Sequence, residues 1–176
     1  HNIPFERCGK IVVATEAREI PLLQNLLERG RQNGLQNLLS LNADQLREYE
    51  PHVHGVAGIF VPQTGIVDYK VVAEKYADVF TQRGGELRLN ERVIDIRFSS
   101  SQATVITSQS SYQGRLVINC AGLYSDKIAR LTSKKIDLRI IPFRGEYYKL
   151  KKEKESLVKN LIYPVPDPAF PFLGVH

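Results

Sequence analysis

The segment RLVINCAGLYSDKIARL at 115–131 constrains the fold of this chain most strongly. Its first part, 115–120, predicts a buried strand because it is mostly apolar and contains the β-branched pair Val117 and Ile118. Ala121 and Gly122 predict a tight turn, and 125–131 predicts a helix. Small residues between a strand and a helix let backbone N–H groups approach an anion, which the helix dipole also favours. The segment therefore predicts a candidate site for a phosphate-bearing cofactor.

The Gly-rich motif that usually completes such a site is missing from this sequence. No G-x-G-x-x-G pattern occurs, and no Met occurs, even at position 1. Dinucleotide sites use that glycine pattern for the turn that holds the pyrophosphate. We therefore expect the chain to be an internal piece of a longer protein.

The composition narrows the class of protein. The 176 residues include 43% apolar and 24% charged residues, which is typical of a globular domain with a real core. No apolar run approaches the roughly 20 residues of a membrane helix. The net charge is +5, but Lys and Arg are mixed with Asp and Glu. We expect no nucleic-acid partner, because such proteins concentrate basic residues on one face.

The cysteines and histidines do not predict a metal site. Cys8 and Cys120 form no C-x-x-C pair, and no His stands at zinc-ligand spacing. Cys120 is expected to be a small buried residue, and His52 and His54 are expected to be exposed. Nothing in the cysteine pattern requires an oxidising compartment, so we expect a cytoplasmic location.

The spacing of apolar residues and the positions of Gly and Pro predict a mixed order of strands and helices, which indicates an α/β or α+β fold. Asn42 is expected to cap a short helix that stops before Pro51. The predicted elements are a strand at 9–15, a strand that runs into a turn over 55–65, helices over 19–34, 42–50 and 69–83, a β-meander over 92–120, an extended segment over 138–150, a solvated hairpin tip or short helix over 149–156, a Pro-rich loop over 164–172 and a strand from Phe170.

Five segments, in this order, resemble the FAD-dependent oxidoreductases of the D-amino-acid oxidase type, which include glycine oxidase and sarcosine oxidase. They are SLNADQLREYEP at 40–51, VPQTGIVDYKVVAEKYA at 61–77, GGELRLNERVIDI at 84–96, VINCAGLYSDKIA at 117–129 and PFRGEYYKL at 142–150. The last segment and the Pro-rich stretch after it are most similar to the branch that oxidises L-2-hydroxyglutarate to 2-oxoglutarate.

The resemblance implies a two-domain fold and a chain that contains part of each domain. Residues 68–135 would form the middle of a Rossmann-like FAD-binding domain with its β-meander. Residues 1–67 and 136–176 would belong to a mixed-sheet substrate domain. The Gly-rich β-α-β unit would precede His1. We expect the isolated 176 residues to bind FAD weakly or not at all, to be inactive, and to self-associate through an uncovered sheet edge.

Three residues match positions that contact the cofactor in this family. Val93 matches a strand position whose backbone meets the adenine, although the sequence without the resemblance favours an ordinary strand valine. Ala121 and Gly122 match the small-residue turn near the pyrophosphate, and a tight turn without a ligand is the alternative interpretation.

Three further residues are candidates for binding and oxidising the substrate. Arg144, expected to be buried, would pair with a substrate carboxylate or bridge structural groups. Tyr163 would place its hydroxyl near that carboxylate or only anchor a loop. His176 would accept the proton of the substrate hydroxyl as hydride leaves, would only orient the substrate, or would be disordered at a cut end. Tyr147 and Tyr148 are expected in the core and on a sheet face.

The resemblance therefore implies an enzyme that oxidises the α-carbon of a small 2-hydroxy acid with FAD. An amine or amino-acid oxidase of the same superfamily is the first alternative, and a non-catalytic scaffold or interaction module is the second. The electron acceptor, and whether the longer protein lies peripherally on the inner membrane, stay open.

Overall fold

The computed structural model describes residues 1–133, 135–167 and 169. They form two compact units, one built from 1–79 with the residues from 149 onward and one from 80–148. The strands are β1 Phe5–Glu6, β2 Lys10–Ala14, β3 Leu39–Asn42, β4 Ala57–Val61, β5 Ile66–Val67, β6 Val93–Phe98, β7 Ala103–Thr107, β8 Ser111–Gly114 and β9 Leu161–Pro164. The α-helices are α1 Ile20–Gln32, α2 Ala43–Tyr49, α3 Tyr69–Gln82 and α4 Ser125–Thr132.

These units divide at different places from the domains that the resemblance implies. The sequence-based boundaries follow residues 67 and 135, whereas the compact units separate after 79 and after 148. Compactness does not say which unit holds which ligand, so the assignment of 68–135 to the FAD-binding domain stays a prediction.

A four-stranded mixed sheet with the order β3-β4-β2-β9 forms the core of the first unit. Strand β2 pairs antiparallel with β4 and parallel with β9. Ile11 and Val13 pack with Leu46 of α2, whereas Ala14 packs with Leu23 of α1. Successive side chains of a strand point to opposite faces. Both faces of β2 are therefore covered, which explains why the four residues after Lys10 are all apolar.

Helix α2 confirms the predicted cap and the predicted stop. The Asn42 side chain accepts hydrogen bonds from the N–H groups of Asp44 and Gln45, and the Gln45 side chain accepts from the Asn42 N–H. This reciprocal arrangement is a capping box. Glu50, directly before Pro51, is extended, with φ −132° and ψ 94°. Proline disfavours the helical conformation of the residue before it, so the helix ends there.

Helix α3 forms where its periodicity predicts it, but it buries none of its residues in the described part of the chain. Asp68 caps it by accepting the Lys70 N–H, and Gly84 follows its end at φ +84°. Tyr69 and Tyr76, predicted on its apolar side, are 79% and 74% exposed. Apolar spacing specifies a helix, whereas burial also requires a partner surface.

The second unit contains the predicted β-meander. Strands β6, β7 and β8 pair antiparallel in sequence order, with a register shift between Val93 and Asp95. Ile96 and Ala103 are its buried apolar residues, at 5% and 1% exposure. The meander is shorter than predicted, because β8 ends at Gly114.

The predicted buried strand over 115–120 is wrong. These residues have no assigned strand, and Leu116 and Ile118 are 77% and 76% exposed. Cys120 is exposed rather than buried. A strand needs a neighbour for its backbone hydrogen bonds, and within the described residues none pairs with this segment. Apolar composition alone therefore did not produce a strand.

The predicted extended segment over 138–150 contains no assigned strand. Tyr147 and Tyr148 are 82% and 100% exposed, so the expectation that one of them lies in the core is wrong. Strand β9 ends at Pro164, which is the first residue of the predicted Pro-rich loop. It pairs on one side with β2, and proline is tolerated at such an edge. The strand predicted from Phe170 lies outside the described residues.

The charged stretch near residue 152 is confirmed as a short solvated helix. Lys152–Leu157 forms a 3-10 helix with no buried residue. In the part of the chain that the structure covers, no helix has the length and apolar character needed to cross a membrane.

Candidate cofactor site

A cavity of about 870 Å³ lies in the second unit, between the start of β6 and helix α4. Val93 and Ala121, two of the three predicted cofactor positions, both line it although they are far apart in sequence. The complete lining is Glu91, Arg92, Val93, Ile94, Ala121, Tyr124, Lys127, Ile128 and Leu131. Cavities of this volume hold cofactors and other small molecules. The fold thus joins two segments that the sequence predicted separately.

Gly122, the third predicted cofactor position, adopts the left-handed conformation with φ +54°. Among the described residues, no other atom lies within 4 Å of the position that a Cβ would occupy. It begins the 3-10 turn Gly122–Tyr124, which leads directly into α4. Glycine is favoured here by the backbone angle, and the open space leaves its backbone accessible to a ligand.

Asn119 holds this turn in place, a role that the sequence analysis did not assign. Its Oδ1 accepts the Ala121 N–H at 3.2 Å, and its Nδ2 donates to the Ser125 carbonyl at 2.8 Å. Asparagine side chains commonly hydrogen-bond to the backbone two residues later in the chain. The position of Asn119 just before Ala121 and Gly122 could therefore have predicted this role.

The walls of the cavity carry both signs of charge. Lys127 places its Nζ 4.6 Å from the centroid of the Tyr124 ring, and Arg92, which is exposed, also lines the cavity. Glu91 accepts hydrogen bonds from the hydroxyls of Thr107 and Tyr112. The hydrogen bond to Glu91, with a smaller contribution from burial, raises the pKa of Tyr112 above its ordinary value. Two cationic side chains at the cavity favour a phosphate-bearing ligand.

Asp126 stabilises the first turn of α4 next to this cavity. It is only 4% exposed, and its carboxylate accepts the N–H groups of Lys127 and Ile140 and pairs with Arg130 at 3.1 Å. Burial raises the pKa of Asp126, but these hydrogen bonds and the Arg130 charge outweigh burial and leave that pKa below its ordinary value. An acidic residue in the first helical turn was the signal that could have identified it.

The structure describes two of the three predicted substrate residues, Arg144 and Tyr163. Arg144 belongs to the second unit and is 86% exposed, with its Nη2 3.5 Å from Glu146 Oε1, so its expected burial is wrong. Tyr163 lies half-buried in β9, where it is opposite Val12 and its ring centroid is 5.3 Å from Lys10 Nζ. His176 lies outside the described residues. The roles of these three residues stay predictions.

The histidines agree with the expected exposure. His52 and His54 are both exposed. Within the ranges that the structure describes, no three His, Cys, Asp or Glu side chains are grouped as metal ligands would be.

The sequence of the chain is similar to those of several curated proteins that share one name. The chain is 59% identical over 176 residues to an L-2-hydroxyglutarate dehydrogenase of Indibacter alkaliphilus, covering 99% of this chain and 44% of that protein. It is 41% identical over 177 residues to the L-2-hydroxyglutarate dehydrogenase of Escherichia coli, covering 100% of this chain and 42% of that protein. The chain therefore spans less than half the length of the curated relatives it matches.

Solved structures share the fold at low sequence identity. An L-α-glycerophosphate oxidase of Mycoplasma pneumoniae with FAD bound has a TM-score of 0.78 at 21% identity, over 99% of this chain and 47% of that one. The L-proline dehydrogenase of P. horikoshii has a TM-score of 0.76 at 14% identity, over 92% of this chain and 44% of that one. The matched family, described as FAD dependent oxidoreductase (DAO), extends over residues 1–176. The chain belongs to this family of FAD-dependent oxidoreductases.

Proposed function

We propose that this chain is part of an enzyme that oxidises L-2-hydroxyglutarate to 2-oxoglutarate with FAD. The observation that carries the proposal is the 59% identity to an L-2-hydroxyglutarate dehydrogenase, which extends over 99% of this chain. Further relatives with the same name, from Nematostella vectensis and Bos taurus, are 45% and 44% identical. Identity at this level along the whole chain supports a shared substrate better than a shared fold does.

The residues at the cavity fit an FAD molecule. Val93 would meet the adenine through its backbone, and Ala121 and Gly122 would lie near the pyrophosphate. The open backbone at Gly122 and the charges of Arg92 and Lys127 support this assignment. When bound, FAD accepts the hydride that the substrate α-carbon loses. On this proposal 68–135 belongs to the FAD-binding domain, and 1–67 with 136–176 belongs to the substrate domain.

The three candidate substrate residues would bind a substrate carboxylate and remove the proton of the substrate hydroxyl. The Arg144 guanidinium is free of burial and would bind a substrate carboxylate, in competition with Glu146. The Tyr163 hydroxyl would donate a hydrogen bond to a substrate carboxylate. His176 would accept the hydroxyl proton of the substrate while hydride leaves the α-carbon, so that the alcohol becomes a ketone.

A cytoplasmic location and self-association complete the proposal. Both cysteines, Cys8 and Cys120, are free, which is compatible with a reducing compartment. Relatives named as mitochondrial also occur, so fractionation of the source cells is the measurement that assigns the compartment. The outer edges of the four-stranded sheet, β3 and β9, are where a second copy would pair.

The test uses the protein encoded by the whole reading frame that contains these residues. Reduction of an artificial dye acceptor is measured with L-2-hydroxyglutarate, its D enantiomer, glycine, L-proline and L-α-glycerophosphate. We expect kcat/KM for L-2-hydroxyglutarate to exceed the others by roughly 100-fold or more. Preference for an amino acid would favour the amine-oxidase alternative, and a colourless protein without flavin would contradict both.

A further inference from the structure

A hydroxyl pair from the β-meander holds the carboxylate of Glu91 at the edge of the cofactor cavity. Tyr112 Oη donates to both oxygens of Glu91, at 2.9 Å to Oε1 and 2.8 Å to Oε2. Thr107 Oγ1 donates to Oε2 at 2.9 Å. Thr107 ends β7 and Tyr112 lies in β8, so one carboxylate connects the segment before β6 to both other strands of the sheet.

The residues on either side of Glu91 are tied to the same turn. The Asn90 carbonyl accepts from Gln109 Nε2 at 3.1 Å, and Asn90 itself has φ +59°. The Arg92 carbonyl accepts the Ser108 N–H at 2.8 Å, and the Arg92 N–H donates to Ser108 Oγ at 3.2 Å. Residues 90–92 lie directly before Val93, the first residue of β6. Their conformation is therefore set by these long-range hydrogen bonds rather than by strand pairing.

This conformation matters because Val93 follows directly. Val93 begins β6, lines the cavity, and is the position at which the backbone is proposed to meet the adenine. Val93 pairs with Thr107, and a register shift separates this pair from the regular ladder that starts at Asp95. The residue opposite Val93 is thus the same threonine whose hydroxyl bonds to Glu91. Glu91 lines the cavity, whereas Tyr112 and Thr107 do not.

We propose that Glu91 is a positioning residue that, through Tyr112 and Thr107, holds the backbone of residues 90–93 in the conformation that receives the adenine end of FAD. The inference rests on the proposed function. It assigns the cluster to cofactor affinity and not to hydride transfer, because the two hydroxyls bond to the Glu91 carboxylate, two residues before Val93.

The decisive variant is Tyr112→Phe in the protein encoded by the whole reading frame. It removes one hydroxyl, keeps the ring, and replaces no residue that lines the cavity. Apoprotein is titrated with FAD, followed by flavin fluorescence, and separately with ADP, followed by calorimetry. We expect the Kd of both ligands to rise about tenfold, since hydrogen bonds to charged groups are the stronger class. The kcat at saturating FAD stays unchanged.

Two further variants separate positioning from general stability. Tyr148→Phe is the matched control, because Tyr148 belongs to the same unit and is 100% exposed; it should leave both Kd values unchanged. In Glu91→Ala, adding Tyr112→Phe should change the Kd for FAD no further, since the hydroxyl would act only through the missing carboxylate.

The outcomes distinguish the failure of this inference from failure of the proposed function. A Tyr112→Phe protein with a lower melting temperature but unaltered Kd for FAD and ADP would show a purely structural role and overturn the inference. If that variant does not fold, Glu91→Gln takes its place with the same expected rise in Kd, because it keeps the size of the side chain and removes the charged acceptor of both hydroxyls. A parent protein that binds neither FAD nor ADP would contradict the proposed function itself.

Discussion

Replacement of Glu50 by alanine should loosen the edge strand β9. Glu50 is 1% exposed, and its Oε1 accepts the N–H of Lys159 at 2.8 Å and that of Asn160. Asn160 in turn donates from its side chain to the Cys8 carbonyl, and Leu161 donates to the Gly9 carbonyl at 3.1 Å. One buried carboxylate thus holds the segment that leads into β9, more than a hundred residues later in the chain.

The structure sets the magnitude of the effect. Hydrogen bonds to a charged acceptor contribute about 1.5–3 kcal/mol each, so loss of both costs about 3–6 kcal/mol before compensation. Two factors reduce that cost. The second oxygen of Glu50 has no hydrogen-bond partner among the described residues, so removing the carboxylate also removes an unfavourable burial. Lys159 is exposed, so water can replace one bond. We expect about 2–3 kcal/mol of local destabilisation.

Amide hydrogen exchange is the suitable assay, because it reports the opening of one segment rather than of the whole protein. In Glu50→Ala, the amides of Leu161 and Val165, which donate to the Gly9 and Val13 carbonyls, should exchange about 30- to 150-fold faster. Glu48→Ala is the matched control, since Glu48 is an exposed glutamate of the same helix. Unchanged exchange in Glu50→Ala, or equal acceleration in the control, would refute this reasoning.

Three further changes test the packing and the electrostatics of the two units. Asn42→Ala removes the side chain that caps α2 and should cost about 1 kcal/mol in urea unfolding, whereas no loss would mean that solvent caps the helix equally well. Leu46→Ala empties a fully buried site in the core and should cost about 2–5 kcal/mol; a loss below that range would indicate that the core collapses around the cavity. The pKa of Asp126 lies below its ordinary 3.8, so its charge stabilises the fold above that pH, and the stabilisation is lost as the pH falls through the folded-state value. In acid, the melting temperature of Asp126→Asn should therefore fall less steeply with decreasing pH than that of the unsubstituted protein. An equally steep fall in both proteins would contradict the assignment.

The predictable parts of the fold are those that depend on neighbouring residues. Asn42 and Pro51 specify the start and stop of α2 within a few residues, and both predictions were confirmed. The apolar alternation around Ile96 predicted β6 in the same way. The cofactor positions Val93 and Ala121 came from family resemblance, and the structure places both on one cavity.

The elements that the sequence predicted wrongly depend on partners that are distant in the chain. Residues 115–120 are apolar enough for a strand, yet Leu116 and Ile118 are exposed because no described strand bonds to their backbone. Pro164 was predicted to begin a loop, yet it ends β9 and pairs with Val13 of β2. Pattern alone cannot distinguish these cases, because backbone hydrogen bonding in a sheet is a property of two segments.

The amino-acid sequence by itself determined the helix caps, the meander and the family of this protein, because these depend on local spacing and on residues read in order. Only the tertiary structure decided that Glu50 ties down β9, that Glu91 connects β6 to β7 and β8, and that Val93 faces the same cavity as Ala121. The physical reason is that a buried carboxylate, like a strand edge, takes its partners from whatever the folded chain brings within hydrogen-bonding distance.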